Sequence, residues 1–340
     1  MRVAMYYSNS DVRLEELPPL KISDDEVLMQ VKASGICGSD IMEWYRRDKV
    51  PLVLGHEVAG VVSRVGGRVK NFKVGDRVVT THHVPCGKCE FCKNDHETVC
   101  DRLRKTHFDP GGFSEFVRLP VENVRLGTFK VPKNVTFEEA TFVEPLGCVI
   151  RGQRLAGMKK GKRVLVVGSG MAGLLHIKLA KYLQAKTIFA TDIDRFRLKK
   201  AKQFGADFVV DANCDVPSEV KKCNGGRLAD FVAICSGAPC AMRQGLQSVE
   251  RGGTILIFTA AKKDSCLPVS TNEIFWRNEV TVMSSYAASP GDLKEALRLI
   301  SQKKITVQDM ITHRLPLEDI QKGFDLVVKP VESIKVIINP

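Results

Sequence analysis

No stretch of this chain approaches the roughly 20 consecutive apolar residues that span a bilayer, so no membrane partner is expected. The opening MRVAMYYSNSDVRLEEL likewise lacks the apolar core of a secretory signal. Both absences lead to the expectation of a cytoplasmic protein. Internal repeats, low-complexity linkers and an arginine-rich arm are also missing, as is any basic stripe interleaved with aromatics. The net charge is nevertheless +12. Its lysines fall in scattered pairs, such as Lys159-Lys160, Lys199-Lys200, Lys221-Lys222 and Lys303-Lys304. Solvated helix faces explain such pairs, and no nucleic-acid partner is expected, although an anionic dinucleotide would benefit from the field. Without a secretory signal, the 11 cysteines point to metal ligands and free thiols rather than to a disulfide framework. At 340 residues, 44% hydrophobic and 26% charged, the chain is long enough for two domains with a core each.

What the chain does have is a run of four thiols in fifteen residues, Cys86, Cys89, Cys92 and Cys100, spaced Cys-x2-Cys-x2-Cys-x7-Cys. Four thiolates suit one tetrahedral ion and close its coordination sphere, leaving no position for a substrate. The surrounding VPCGKCEFCKNDHETVC is charged and poor in apolar residues. Such a lobe, residues 84–101, cannot fold on a hydrophobic core of its own, so a structural zinc is expected to organise it. Cys148, Cys214, Cys223, Cys235, Cys240 and Cys266 show no ligand spacing, and most read as small buried hydrophobes.

The rhythm of the chain changes near residue 162. Before it, short β-type runs (EVLMQVKAS, HEVAGVVSRVG, DRVVTT, FSEFVRLP) alternate with Gly, Pro and Asp, predicting a mostly antiparallel, barrel-like domain. After it, strands at 163–167, 187–192, 207–210, 230–235, 254–259 and 280–285 are separated mostly by helix-period segments. That pattern predicts a doubly wound parallel sheet in an α/β fold. The tail carries a helix, DLKEALRLISQ, and a last strand, SIKVIIN, expected to complete the first domain. The expected domains are therefore 1–147 with 286–340, and 148–285.

Gly168, Gly170, Met171, Ala172 and Gly173 belong to a G-x-G-x-x-G turn directly after strand 163–167. The first glycine makes the tight turn, the second admits a pyrophosphate to the backbone, and the third lets helix pack on strand. The phosphates of a dinucleotide would sit at the helix N-terminus. Asp192, 19 residues after Gly173, closes the next strand, where a carboxylate accepts ribose hydroxyls and repels a 2′-phosphate. NAD is therefore favoured over NADP. Arg195 and Arg197 leave NADP open, since an arginine can also hold a 2′-phosphate.

Cys37 in ASGICGSD and His56-Glu57 in VLGHEVAG each follow an apolar run and are flanked by glycine, as expected of strand ends. Thiolate, imidazole and carboxylate make a zinc set with one position left open. Glu144 in FVEPLGC is a further candidate ligand.

GICGSD, LGHEVAG with the downstream VGDRVV, the four-cysteine run, VEPLGC and VVGSGMAG occur in the order found in zinc-dependent medium-chain alcohol dehydrogenases, which the chain resembles over nearly its full length. The resemblance implies a GroES-like catalytic domain and a Rossmann domain. It also implies two zinc ions per chain, one structural on the four cysteines and one catalytic on Cys37 and His56. Glu57 matches an acid that binds or exchanges onto the catalytic zinc. Glu144, followed by Pro145 and Leu146, matches a glutamate of the sorbitol- and threonine-dehydrogenase-like branch, where simple alcohol dehydrogenases have cysteine. Either glutamate is a candidate third ligand. Asp40 would hold His56, and Ser39 would take the substrate proton. The histidine that often follows that serine by three residues is replaced here by Met42. Hydride transfer from a secondary alcohol or polyol to NAD is implied, with L-threonine and simple alcohols as alternatives, in a homo-oligomer with the tetramer favoured over the dimer.

Three rivals leave something unexplained. An iron–sulfur cluster fits the last interval of seven residues poorly. A zinc-ribbon nucleic-acid binder does not need the glycine turn, Asp192, Cys37 or His56. A zinc-independent reductase makes Cys37 and His56 accidental. Trp44, Tyr45 and Arg46, together with Arg314, are candidate pocket residues.

Overall fold

The alternating runs of the N-terminal part become eight strands: β1 (Arg2–Ser8), β2 (Asp11–Glu16), β3 (Val27–Gly35), β4 (Leu52–Val53), β5 (Glu57–Val65), β6 (Arg77–Thr80), β7 (Phe116–Leu119) and β8 (Thr128–Lys130). The chain then builds β9 (Arg163–Val167), β10 (Thr187–Asp192), β11 (Phe208–Asp211), β12 (Ala229–Ile234), β13 (Val249–Ile257) and β14 (Thr281–Ser284). It finishes with β15 (Ile311–Pro316) and β16 (Lys335–Asn339). The structure is a computed structural model that describes residues 1–267 and 269–340. It divides into one unit of Met1–Gly147 with Ala287–Pro340 and a second of Cys148–Tyr286.

The first unit is mostly antiparallel. Its larger sheet runs β15-β16-β3-β5-β6-β8, and its smaller one β2-β1-β4. One edge of β3 pairs with β5 along its length. The other is shared, Val27–Gln30 with β7 and Ser34–Gly35 with β16. Val27, Met29 and Val31, on one face of β3, pack with Val58, Val62, Val78 and Leu119. A second core joins β1 to the returning tail, where Tyr6 and Phe113 meet Phe324 and Ile338. Pro290–Ser301 is the helix expected from DLKEALRLISQ, opened by a Ser289 capping box. The strand β15 was not anticipated, and it forms a parallel pair with β16.

The second unit holds a parallel sheet in the order β11-β10-β9-β12-β13-β14. Its central strands are nearly continuous apolar runs because helices cover both faces. Leu165, Val167, Phe189, Val232, Ile234 and Ile255 are buried in its core, whereas the scattered cysteines expected there are not: Cys214, Cys223, Cys240 and Cys266 are exposed, and Cys148 and Cys235 are half-buried. Strand order reverses at β9, the place where open α/β sheets take ligands beyond the strand ends. The helix Arg195–Phe204 is capped by Asp194 and stopped by Gly205. β13 begins at Val249, earlier than its sequence suggests, because the bulge-forming Gly252 and Gly253 lie inside it.

Candidate active site and metal centres

Strand register creates the first ligand set. Gly35, the end of β3, pairs with Glu57, the start of β5. The chain just past one strand therefore carries Cys37 beside the residues that open the other. Ligand atoms of Cys37, His56 and Glu57 all lie within 4.8 Å of one another. His56 and Glu57 are buried, and Cys37 is half-buried. A soft thiolate, an imidazole and a carboxylate so placed fit a zinc ion with an open position.

The support beneath this set is polar and enclosed. Asp40 is fully buried, and its Oδ2 accepts a hydrogen bond from Cys37 N at 2.9 Å. Its Oδ1 lies 3.3 Å from His56 Nδ1, which leaves the other ring nitrogen for a metal. Burial alone would lower the His56 pKa, but Asp40 and Cys37 outweigh it and hold the imidazole well above its ordinary value. Glu57 Oε2 is paired with Lys335 Nζ, while Glu57 Oε1 is buried without a partner. Such an orphaned carboxylate oxygen is what a metal site presents before it is filled.

Ser39 sits half-buried two residues after Cys37, with its N–H 3.5 Å from the Cys37 Sγ. Met42 is half-buried in the same segment. Trp44 and Tyr45 are exposed, and Tyr45 stacks under Lys49, whose Nζ is 3.5 Å from the ring centre. Arg46 donates to Ser39 O at 3.3 Å. Arg314 is held elsewhere: its Nε donates to Glu138 at 2.9 Å, a surface pairing from β15. Glu144 opens the helix Val143–Leu155 and lines a small recess with Thr80, Thr81 and Leu293. It stands outside the convergent set of Cys37, His56 and Glu57.

Three histidines were missed by sequence reading. The chain leaving β6 carries His82, whose ring centre is 4.8 Å from that of His56 and 3.7 Å from that of His83. His107 follows at 5.5 Å from His83. Burial first, and then the neighbouring imidazoles, push His82 well below its ordinary pKa. Burial likewise brings His83 down to about 4. Both shifts favour the neutral imidazole, and His82 Nδ1 is buried without a partner. The only signal in the sequence was the pair His82-His83 just ahead of the four-cysteine run.

The second ligand set comes from one loop. Cys86, Cys89, Cys92 and Cys100 bring their sulfurs within 4.8 Å of one another, threaded by the short helix Glu90–Lys93 and a single 3-10 turn at Glu97–Val99. N–H groups of Lys88 and Cys89 point at the Cys86 sulfur and lower its pKa to about 6, favouring thiolate. Four thiols in tetrahedral reach fit a closed zinc site.

In the second unit the glycine turn is built for phosphate. Gly168 has φ +90°, and a Cβ on Gly173 would fall 1.9 Å from Gly168 O, so no other residue lets this helix sit so close to β9. A Cβ on Gly170 would meet nothing within 4 Å, which leaves open space over the turn. The helix Met171–Tyr182 starts with no side-chain cap at Gly170, so N–H groups of its first turn, including those of Met171 and Ala172, remain for an anion. Asp192 is buried; its Oδ2 accepts from Ser169 N at 2.8 Å and its Oδ1 from Asp194 N at 3.0 Å. Asp192 thus fixes the turn itself, and each oxygen keeps a lone pair for a ribose hydroxyl. Arg197 Nη1 lies 3.9 Å from Asp192 Oδ2. The residues present fit a bound dinucleotide.

Residues 23–133 match the family model of the alcohol dehydrogenase GroES-like domain, and residues 172–302 that of the zinc-binding dehydrogenases. Sheep sorbitol dehydrogenase is 32% identical, covering 97% of this chain and 93% of its own length. Baker's yeast D-xylulose reductase is 33% identical, over 94% and 92%. L-threonine 3-dehydrogenase of Bacillus licheniformis is 34% identical, over 96% and 94%. Among solved structures, a zinc-binding dehydrogenase of Sinorhizobium meliloti bound to NADP superposes with a TM-score of 0.88 at 26% identity, covering 100% of this chain and 99% of that one.

Proposed function

Because the chain belongs to the zinc-dependent medium-chain alcohol dehydrogenases, we propose that it oxidises a secondary hydroxyl of a polyol to a ketone, with NAD as hydride acceptor. The observation that carries this reading is the convergence of Cys37, His56 and Glu57 on one point. Zinc held there would act as a Lewis acid on the substrate hydroxyl and make it easier to deprotonate. NAD on the Gly168–Gly173 turn would accept the hydride.

The chain's own residues supply the rest. Asp40 orients the His56 ring and fixes which nitrogen is free. Ser39 Oγ takes the proton of the substrate hydroxyl by hydrogen bond. Met42 cannot pass that proton on, so it leaves by another route, such as a cofactor ribose hydroxyl or water. Cys86, Cys89, Cys92 and Cys100 would hold a second, structural zinc. A role for Glu144 at the catalytic zinc is carried by the resemblance alone. Gly168, Gly170, Met171, Ala172 and Gly173 would bind the pyrophosphate, and Asp192 the adenosine ribose beside Arg197.

A polyol is favoured because His82 brings a neutral, unpartnered imidazole nitrogen next to His56. Such a group recognises a further hydroxyl without demanding a charge. The sorbitol and xylulose relatives support the same class. L-threonine remains the second reading, supported by the Bacillus relative and by Glu144, whose carboxylate would suit an amine. We also propose a cytoplasmic homotetramer, for which light scattering on the purified protein is the test. Among the described residues no helix is long and apolar enough to cross a membrane.

The decisive experiment is a panel of polyols, L-threonine and simple alcohols, each with NAD and with NADP. The expected result is the highest kcat/KM for a polyol with NAD. Preference for L-threonine would replace the substrate assignment, and preference for NADP would reassign Arg197 to a 2′-phosphate.

A further inference from the structure

Lysine is almost never fully buried unless its charge is met. Lys335, which opens β16, is 1% exposed overall, and no part of its side chain reaches solvent. Its Nζ contacts Glu57 Oε2 and donates to Ile36 O at 3.2 Å. The ammonium also lies 5.7 Å from the Phe142 ring centre, within cation–π range. Glu57 is equally buried, at 0%.

The space for this pair is made by one residue. Gly35 faces Glu57 across β3 and β5 and faces Ile337 across β3 and β16. A Cβ on Gly35 would fall 2.3 Å from Glu57 Oε2 and 2.6 Å from Lys335 Cε. The sheet therefore leaves out a side chain at the point where acid and ammonium meet. The acid also has a second claim on it. A Glu57 carboxylate oxygen lies within 4.8 Å of the ligand atoms of Cys37 and His56, and Glu57 Oε1 has no partner. One carboxylate is thus shared between a fixed ammonium and the ligand set.

We propose that Lys335 is a positioning residue that restrains Glu57 by one oxygen, so that the acid reaches the metal with the other and does not close the coordination position needed by substrate. This rests on the reading of Cys37, His56 and Glu57 as a metal centre. Two cations compete for the same carboxylate, and the strand register fixes one of them. The balance decides how strongly the metal is held and how readily its remaining position exchanges.

The test uses the intact protein with cobalt(II) in place of zinc, whose visible bands report coordination number. Wild type, Lys335→Met, Lys335→Arg, Glu57→Gln and the Glu57→Gln/Lys335→Met double variant are compared. In Lys335→Met the freed carboxylate moves fully onto the metal. Its cobalt bands shift and weaken, metal release to a chelator slows by about tenfold, and kcat falls by about 10- to 100-fold with little change in KM. Lys335→Arg keeps the wild-type spectrum. In the Glu57→Gln background, adding Lys335→Met changes neither spectrum nor release rate. If Lys335→Met alone fails to fold, Lys335→Gln takes its place, since it keeps a donor for Ile36 O while removing the ammonium that holds Glu57.

An unshifted cobalt spectrum with unchanged release in Lys335→Met overturns the proposal, even if the melting temperature drops, since a merely structural ion pair would do just that. A further spectral change on adding Lys335→Met to Glu57→Gln overturns it as well. Failure of the wild-type protein to bind any metal beyond the one on the four cysteines would instead sink the metal-centre reading itself.

Discussion

The two cysteine-bearing sites reach a similar convergence by opposite means. Cys86, Cys89, Cys92 and Cys100 come from fifteen consecutive residues, and three of the four are half-buried in a loop with little apolar packing. Cys37, His56 and Glu57 come from the ends of two paired strands and rest on Asp40 and Lys335, both nearly or fully inaccessible to solvent. The loop has its ligands close in sequence but little besides a metal to hold them. The sheet has its ligands far apart in sequence and holds them through register before any metal arrives. A structural site can be cheap in scaffold because the ion supplies the folding energy. A reactive site needs its ligands fixed independently of the ion, so that one position can stay open.

That contrast can be broken in four ways, from the largest effect to the smallest. Cys37→Ser should lower kcat by about 10³-fold or more while leaving NAD binding and the melting temperature nearly unchanged, as steady-state kinetics, calorimetry and a thermal melt would show. Cys86→Ser should do the reverse. Amide protection across residues 84–101 is lost, metal content falls by one ion per chain, and binding of metal at Cys37 persists; hydrogen exchange with elemental analysis reads both. If the lobe keeps its protection, the metal is not what folds it. Asp40→Asn should weaken metal retention or activity by about 10- to 100-fold, measured by chelator competition, because the His56 ring loses the acid that orients it.

The fourth concerns a pair that belongs to the second unit and to neither metal set, and serves as a control. Arg163 Nε donates to Asp230 at 2.8 Å, with side chains 11% and 18% exposed. Burial would raise the Asp230 pKa, but the Arg163 hydrogen bonds outweigh it and hold the carboxyl below its ordinary 3.8. A carboxyl whose folded pKa is depressed stabilises fully above its unfolded pKa and loses that contribution as pH falls through the folded value. Arg163→Ala should therefore cost about 1–3 kcal/mol near neutral pH, and the difference from wild type should shrink below pH 3.8. Denaturant titrations at several pH values would show it, with metal content unchanged throughout.

Legibility followed the same division. The four-cysteine run and the glycine turn are local patterns, so the residues that converge are the residues that stand together in the sequence. The parallel sheet was readable because each buried strand is a short apolar run bounded by turn signals. Strand ends were less so: Gly252 and Gly253 hid the first half of β13. Lys335 was invisible because it lies 278 residues from Glu57, and nothing near SIKVIIN hints at an acid. Arg314 looked like a cleft residue, but Glu138, 176 residues away, claims it. His82 and His83 lacked any ligand spacing, and only the path of the chain past β6 brings them to His56.

The split edge of β3 has a consequence for the order in which the molecule is made. Glu57 leaves the ribosome early, and its ammonium partner follows only after the whole of the second unit has been synthesised. At roughly 5–20 residues per second, the 278 residues between them impose a wait on the order of 15 to 60 s. During that interval Glu57 lacks the ammonium that meets it in the folded structure. The first unit can collapse around β3 and β5, but its centre reaches its final balance of charge only when β16 docks.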